Sequence, residues 1–362
     1  RERGMQKHDK SNMLEVWEKL VGFGIKPMGS DNLQRAGEYL YQVMAEICDQ
    51  VEIHQYQVPC WEVKGWRLED QNGKEIKSYL FLESGSSEKF EGWDMYVWRR
   101  YKIVDAEGRI CAYITVRENE GAIPQMLFAK SDLPHFMVGS KEEAILKEAE
   151  KSRALLRGFA ETKINKSGYC RNLSGEIGEG REKIILCAHY DTVYSTVGAY
   201  DNAAGTAVVL ETARQLTQYG LNKKIEILLT DGEEFNLKGA RFRAAEERGD
   251  ISFVLNIDGV GREDILEVWC GPETFERKVR AVLDKSKEKF IPRYICPPPP
   301  GSDHAPFYEK GIPVCMLTFN DQGILHTPED IIEKSKLHNM EKMVRLNLEL
   351  LERIGVIQRD TN

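Results

Sequence analysis

Apolar positions along this chain follow two different rhythms. From about residue 183 onward, short continuous apolar runs alternate with longer stretches of three-to-four spacing. The runs at 184–190, 225–230, 253–258, 266–270 and 314–319 predict strands buried on both faces. Between and after them, 203–219 (ended by Gly220), 238–248, 273–289 and 337–354 carry helical periodicity, and 306–310 predicts one short helical turn. This alternation argues an α/β fold whose sheet is covered on both sides. Upstream, Leu14, Trp17, Leu20 and Val21 mark a helix over 13–23. Asp31 suits the N-cap of a second helix over 32–48, with Leu33, Ala36, Leu40, Val43 and Ile47 on one face. Residues 51–58 alternate as a strand does, and 1–12 are polar.

Between about 60 and 166 the texture changes. Short β-like pieces at 78–82, 95–99, 102–104, 110–116 and 125–128 are joined by turn signals at Asp70–Gly73 and Asp105–Gly108. A charged helix over 141–156 and a strand over 155–164 follow. We expect an inserted β-rich domain at 59–166 and a discontinuous core domain made of 1–58 and 167–362.

Composition narrows the function. The 362 residues are 41% hydrophobic and 30% charged, with a formal net charge of −8. There is no basic stripe, so nucleic acid is not an expected partner. No apolar run approaches the ~18–20 residues of a membrane span, so no membrane partner is expected either. None of the eight cysteines forms a C-x-x-C pair. Cys187 and Cys315 sit in apolar runs and read as reduced, buried thiols. No signal peptide is evident, which favours the cytoplasm, or secretion if a leader preceding Arg1 has been removed.

The chemistry gathers at strand ends. His189, Asp201, Glu234, Asp258 and His326 fall at the carboxyl ends of predicted strands or in the loops after them, where open α/β sheets bind ligands. His189 and Asp191 are two apart on an extended segment and share a side, so one can ligate while the other orients it. Asp201, taken alone, reads as an N-cap; as a ligand it suits a bridge between two metals. Glu233 and Glu234 diverge in a turn, leaving one for metal and one as a base. Taken singly, Asp258 reads as a turn former and His326 as a loop histidine. Two histidines and three carboxylates crowd one ion but fit two, and the mixed donors suit zinc, with manganese or cobalt also compatible.

The motifs His189-x-Asp191, Gly198-Ala199-x-Asp201-Asn202-Ala203-x-Gly205, Glu233-Glu234-x-x-Leu237-x-Gly239, Asn256-x-Asp258, Ser302-Asp303-His304 with Gly311-Ile312-Pro313, and His326-Thr327 stand in this order. As a set they resemble the di-zinc aminopeptidases related to secreted bacterial leucyl aminopeptidase, aminopeptidase Y and glutamate carboxypeptidase. The resemblance covers about 183–330. It implies a three-layer zinc exopeptidase core with a mixed central sheet, and a protease-associated-like insert. It also implies two Zn²⁺, one held by His189, Asp258 and bridging Asp201, the other by Glu234, His326 and the same Asp201. Glu233 would be the general base and acid, Asp191 the residue orienting His189, and a peptide with a free N-terminus the substrate.

The chain departs from some relatives in having prolines, not a tyrosine, just before Ser302, which leaves Tyr294, Tyr308 or no tyrosine for the oxyanion. Three alternatives stand beside aminopeptidase. A carboxypeptidase or dipeptidase that cuts beside acidic residues would draw on Arg241, Arg243 or Arg262. A one-zinc glutaminyl cyclase-like enzyme fits poorly with an intact His189-x-Asp191 pair. A non-catalytic receptor-like relative fits poorly with a full ligand set.

Overall fold

The computed structural model describes residues 11–97, 100–118, 120–124, 127–129, 132–246 and 250–358. The chain divides into two compact units, Arg1–Tyr56 with Cys170–Asn362, and Gln57–Tyr169. Among the described residues, no helix is long and apolar enough to cross a membrane.

The first unit opens with α1 (Ser11–Gly22), α2 (Asp31–Ile47) and β1 (Gln50–Gln57). The cap of α2 is Ser30, whose Oγ accepts the Leu33 N–H at 3.2 Å; Asp31, expected there, is instead the first helical residue. A carboxylate in the first turn still favours the helix dipole.

The second unit holds β2 (Cys60–Glu69), β3 (Tyr79–Leu80), β4 (Ser87–Val97), β5 (Arg100–Val104), β6 (Ile110–Arg117), β7 (His135–Gly139), α3 (Ser140–Ser152) and β8 (Leu155–Asn165). Its sheet order is β2-β8-β4-β5-β6-β7-β3. The sequence pattern misses β2 and β7. It also runs α3 too long, because Arg153 takes a left-handed conformation that ends the helix. Of the expected strand at 125–128, the first two residues lie outside those described, while Phe128 makes an isolated bridge to Leu82. Residues 98 and 99 of the expected 95–99 strand also lie outside them, as do 1–10.

The chain returns to the first unit with β9 (Tyr169–Ile177), β10 (Glu182–His189), α4 (Gly205–Leu216), β11 (Lys224–Thr230), α5 (Lys238–Ala245), β12 (Asp250–Val260), β13 (Ile265–Gly271), α6 (Glu273–Leu283), β14 (Ile291–Ile295), α7 (Ala305–Glu309), β15 (Val314–Phe319) and α8 (Leu337–Arg353). Eight strands form one mixed sheet in the order β1-β9-β11-β10-β12-β15-β13-β14. The central four, β11-β10-β12-β15, are parallel, whereas β9 and β13 run antiparallel to their inner neighbours. Two strands escape the sequence pattern. β9 is interrupted by polar residues, and β14 is an edge strand that tolerates Pro292 because one side of its ladder is unpaired.

β10 shows why the core is layered. Ile184, Leu186 and Ala188 face α1, α2, α4, α6 and α8 in one cluster, while Ile185 and Cys187 pack with Ala240 of α5 and Phe307 of α7 on the other side. Side-chain alternation along a strand sends successive residues to opposite layers. Burying each aliphatic side chain there is worth roughly 1.5–3 kcal/mol. All eight cysteines are free thiols.

Within this core Arg243 is fully buried and donates from Nε and Nη2 to Glu226 of β11, both at 2.7 Å. Burial disfavours the Glu226 carboxylate, but Arg243 and Lys183 hold its pKa down at about 2. Arg243 therefore has a structural partner and is not a specificity residue. Its replacement by Met should cost about 3–5 kcal/mol, since half of a buried ion pair is left behind. Urea denaturation should show this loss, with zinc uptake at the wild-type level.

Candidate metal centre

The order of the central strands makes the site. From β10 the chain crosses to β11 on one side and then to β12 on the other, so the connections diverge at β10. Crevices outside such a switch point are where open α/β sheets bind ligands. The carboxyl ends of β10, β11, β12 and β15 open toward it.

His189 ends β10. Its Nε2 lies 3.1 Å from Asp201 Oδ1, 3.2 Å from Asp258 Oδ1 and 3.9 Å from Glu233 Oε2. Its Nδ1 faces the Asp191 backbone carbonyl at 3.3 Å and the Asp191 Oδ1 at 3.4 Å. Thr206 of α4 donates to the His189 carbonyl at 2.7 Å, fixing the strand end. The Asp191 carboxylate has a second task. Its two oxygens accept the backbone N–H groups of Glu233 at 3.1 Å and Glu234 at 3.2 Å, so it also shapes the turn after β11.

Asp201 sits in the loop before α4, with φ −116° and ψ 92°, and does not cap that helix. Helix α4 starts at Gly205, two residues later than expected, and Asn202 supplies the side-chain acceptor there: its Oδ1 accepts the N–H of Gly205 at 3.1 Å and of Gly259 at 3.0 Å. Asn202 Nδ2 also donates to the Ile257 carbonyl at 2.9 Å, tying the Asp201 loop to the end of β12. Gly205 is required by this approach, because a Cβ there would stand 2.1 Å from Asn202 Oδ1.

Asp258 lies where the β12–β15 register slips between Ile257 and Val260. Such bulges re-aim a side chain. Gly259 permits this one at φ +79°. The Ser302 hydroxyl donates to Asp258 Oδ2, and Asn256 Nδ2 donates to Ser302 Oγ at 2.7 Å.

His326 stands in the loop after β15. Its Nε2 is 3.1 Å from Asp201 Oδ2 and 3.1 Å from Glu234 Oε2. The two oxygens of Asp201 therefore face two different imidazoles. Both Glu234 oxygens are buried, and among the described residues no donor is aimed at either in hydrogen-bond geometry.

Among the described residues, three groups of side chains offer ligand atoms close enough together for a metal: His189 with Asp201 and Asp258, Asp201 with Glu234 and His326, and His189 with Glu233 and Glu234. A buried carboxylate with no aimed donor is costly unless a cation joins it. Imidazole nitrogens and carboxylates are zinc donors, so these residues fit that ion. The first two groups meet at Asp201 and leave Glu233 over.

Electrostatics points the same way. Burial disfavours the charged imidazoles of His189 and His326, yet the carboxylates around them win and push both pKa values well above the ordinary range. Burial, reinforced by Asp201, raises Glu234 to about 7. Glu233 is raised well above its usual value by burial, with Asp258, Glu234 and Asp303 adding to it against His189. Asp303, bonded to Thr230, is pushed by burial to about 7. Burial also opposes the charge on Asp201, but the two histidines hold that carboxylate low.

The structure brings His189, Asp191, Asp201, Glu233, Glu234, Asp258 and His326 together at this crevice. Sequence reasoning assigned no role to Ser302, Asp303, Thr206 or Asp330, although Ser302 and Asp303 lie in a quoted motif and Asp330 follows His326 closely. The Tyr294 hydroxyl donates to Asp284 at 2.7 Å. Tyr308 packs against the Ile185–Val314 cluster. Arg262 clamps Asp321 through Nε at 2.6 Å and Nη2 at 3.1 Å, and Arg241 is exposed beside Glu309.

Residues 172–351 match the model of Peptidase family M28. Aminopeptidase YwaD of Bacillus subtilis (strain 168) is 31% identical over 166 residues, which is 41% of this chain and 36% of that protein. Leupeptin-inactivating enzyme 1 of Streptomyces exfoliatus is 31% identical over 167 residues, 42% of this chain and 36% of that protein. The matched stretch thus spans about a third of these curated relatives. The solved structure of a zinc aminopeptidase from Bacillus subtilis shares the fold, with a TM-score of 0.74 at 18% identity over 97% of this chain and 96% of that one. An aminopeptidase from Aneurinibacillus sp. strain AM-1 gives 0.73 at 17% identity, over 97% and 95%.

A pH test follows from the charges. The folded pKa values of Glu233, Glu234, Asp303, His189 and His326 all lie above their unfolded ones. Without metal, their contribution to stability is complete below the unfolded values and is lost as pH rises through about 7 for Glu234 and Asp303. Zinc displaces these protons. The gain in melting temperature on adding zinc should therefore grow between pH 5.5 and pH 8. Calorimetry of metal-free and zinc-loaded protein checks this; an increment independent of pH would contradict it.

Proposed function

We infer that this chain is a metal-dependent aminopeptidase that hydrolyses the N-terminal bond of a peptide bearing a free amine. One observation carries the two-ion form of this reading: the two oxygens of Asp201 face His189 on one side and His326 on the other. His189, Asp201 and Asp258 would hold one zinc, and Asp201, Glu234 and His326 the second. The match to a peptidase family supports the reaction type, and relatives named aminopeptidases support the exopeptidase choice. Manganese or cobalt would suit the same donors.

When bound, the ions supply Lewis acidity, lowering the pKa of a water and polarising the scissile carbonyl. The chain supplies the rest. Glu233 is free of the two ligand groups, buried, and held by Asp191 through its backbone N–H. Its carboxylate takes the proton of the attacking water and returns it to the leaving amine. A carboxyl whose surroundings raise its pKa is suited to keeping a proton between those two events. Asp191 acts on both sides of the chemistry, against the His189 ring and under the Glu233–Glu234 turn. Asn256 and Ser302 keep Asp258 turned toward His189.

The Gln57–Tyr169 unit we read as a protease-associated-like insert, on its position between β1 and β9 and its β-rich make-up. No step is assigned to it. A carboxypeptidase that reads acidic residues is less well supported, because Arg243 and Arg262 already hold carboxylates.

Glu233→Gln should lower turnover of a free-amine aminoacyl reporter at least ~100-fold while two zinc ions per chain remain by elemental analysis. The N-acetylated reporter should stay uncut by the wild type. A fully active Glu233→Gln protein would remove Glu233 from the mechanism; cleavage of the blocked reporter would remove the amine requirement.

A further inference from the structure

Asp330 is a buried carboxylate that no step above uses. It lies four residues past His326, in the loop between β15 and α8. Its oxygens reach the loop that carries Asp201: the backbone N–H of Tyr200 donates to Oδ1 at 2.6 Å and that of Asp201 to Oδ2 at 3.1 Å. Its carbonyl accepts the Thr196 hydroxyl at 3.3 Å and the Ala199 N–H at 3.5 Å.

Asp201 and Asn202 have non-helical dihedrals, so the amides of this buried loop need acceptors from elsewhere. Two consecutive N–H groups converging on one carboxylate make a small anion-binding concavity. The stretch from His326 to Asp330 is compact. Thr327 donates from its N–H and its hydroxyl to the Ile324 carbonyl, at 3.0 and 2.8 Å, and the Asp330 N–H donates to the Thr327 carbonyl at 3.1 Å. An anchor at Asp330 is therefore felt at His326. A second tie joins the same loops, because the Tyr200 hydroxyl accepts the Asp321 N–H at 3.2 Å. Lys26 is a buried cation near Asp330 and Asp191, and it donates from Nζ to the Gly24 and Val197 carbonyls, both at 2.9 Å.

We propose that Asp330 is a positioning residue for the shared ligand: through the amides of Tyr200 and Asp201 it sets where the Asp201 carboxylate stands relative to His326, and so couples the two half-sites. This rests on the two-ion reading. Asp330 touches neither substrate nor reacting atoms; it acts through Asp201.

The test titrates zinc, against a competing chelator, into metal-free wild type, Asp330→Asn and Asp330→Ala. The visible spectrum of each cobalt-loaded protein and the unfolding of each metal-free protein are recorded alongside. Asn keeps the volume but replaces one acceptor oxygen with a donor, so it can satisfy only one of the two amides. Wild type should take up two ions. Both variants should bind the second ion about 10–100-fold more weakly, as loss of a group supporting a ligand does, with an altered cobalt spectrum. Wild-type affinity for both ions and an unchanged spectrum in Asp330→Asn would overturn the proposal, even if the metal-free variant unfolds earlier. Fewer than two ions in the wild type would overturn the two-ion reading beneath it. If neither variant folds, amide hydrogen exchange in the wild type decides. Protection of Tyr200 and Asp201 should rise with zinc, and unchanged protection would overturn the coupling.

Discussion

The organising constraint in this protein is charge crowding in a dry place. Asp191, Asp201, Glu233, Glu234 and Asp303 are buried together at the ends of parallel strands, with Asp258 beside them. Carboxylates packed this closely repel one another and have lost their water. Two imidazoles answer part of that charge, and the raised pKa values of Glu233, Glu234 and Asp303 express the remainder. Divalent cations at Asp201 would satisfy both demands at once. The energetic cost of assembling the acids then becomes the source of metal affinity.

Such a cluster survives only on a stiff support. The four parallel strands provide it, since their apolar runs are buried on both faces and their ends are spaced by the sheet ladder. The loops are irregular, and side chains rather than helical bonds hold them. Asn202 closes three backbone contacts around Gly205, Ile257 and Gly259. Asp191 holds the Glu233–Glu234 turn, and Asp330 holds the amides of Tyr200 and Asp201. Each tie joins segments far apart in sequence. Together they bring His189, Asp201, Asp258, Glu234 and His326 into two groups whose candidate ligand atoms lie within 4.8 Å of one another, a spacing compatible with metal chelation.

Sequence alone went far toward the site because metal chemistry leaves strong local marks. A His and an Asp two apart at the end of an apolar run, two adjacent glutamates after another, and an Asn-x-Asp closing a third are improbable together by accident. The central strands were legible for a similar reason, since burial on both faces writes an unbroken apolar run. Strands that break this rule were not legible: β9 carries Arg171, Asn172 and Ser174, β14 contains Pro292 at the edge, and β2 is interrupted by Glu62, Lys64 and Arg67; β7, though buried throughout, is a run of only five residues.

The sequence by itself determined which histidines and carboxylates belong at strand ends, because residue type and periodicity are local properties. Tertiary structure decided how each one is placed. It made Ser30 rather than Asp31 a cap, gave Asn202 rather than Asp201 the acceptor at the start of α4, and assigned Arg243 to the core. It also turned Asp201 so that its oxygens face two histidines far from it in the chain. Those outcomes depend on contacts between distant segments, such as Asn202 with Ile257 and Asp330 with Tyr200, and such contacts have no signature in the spacing of residues along a chain.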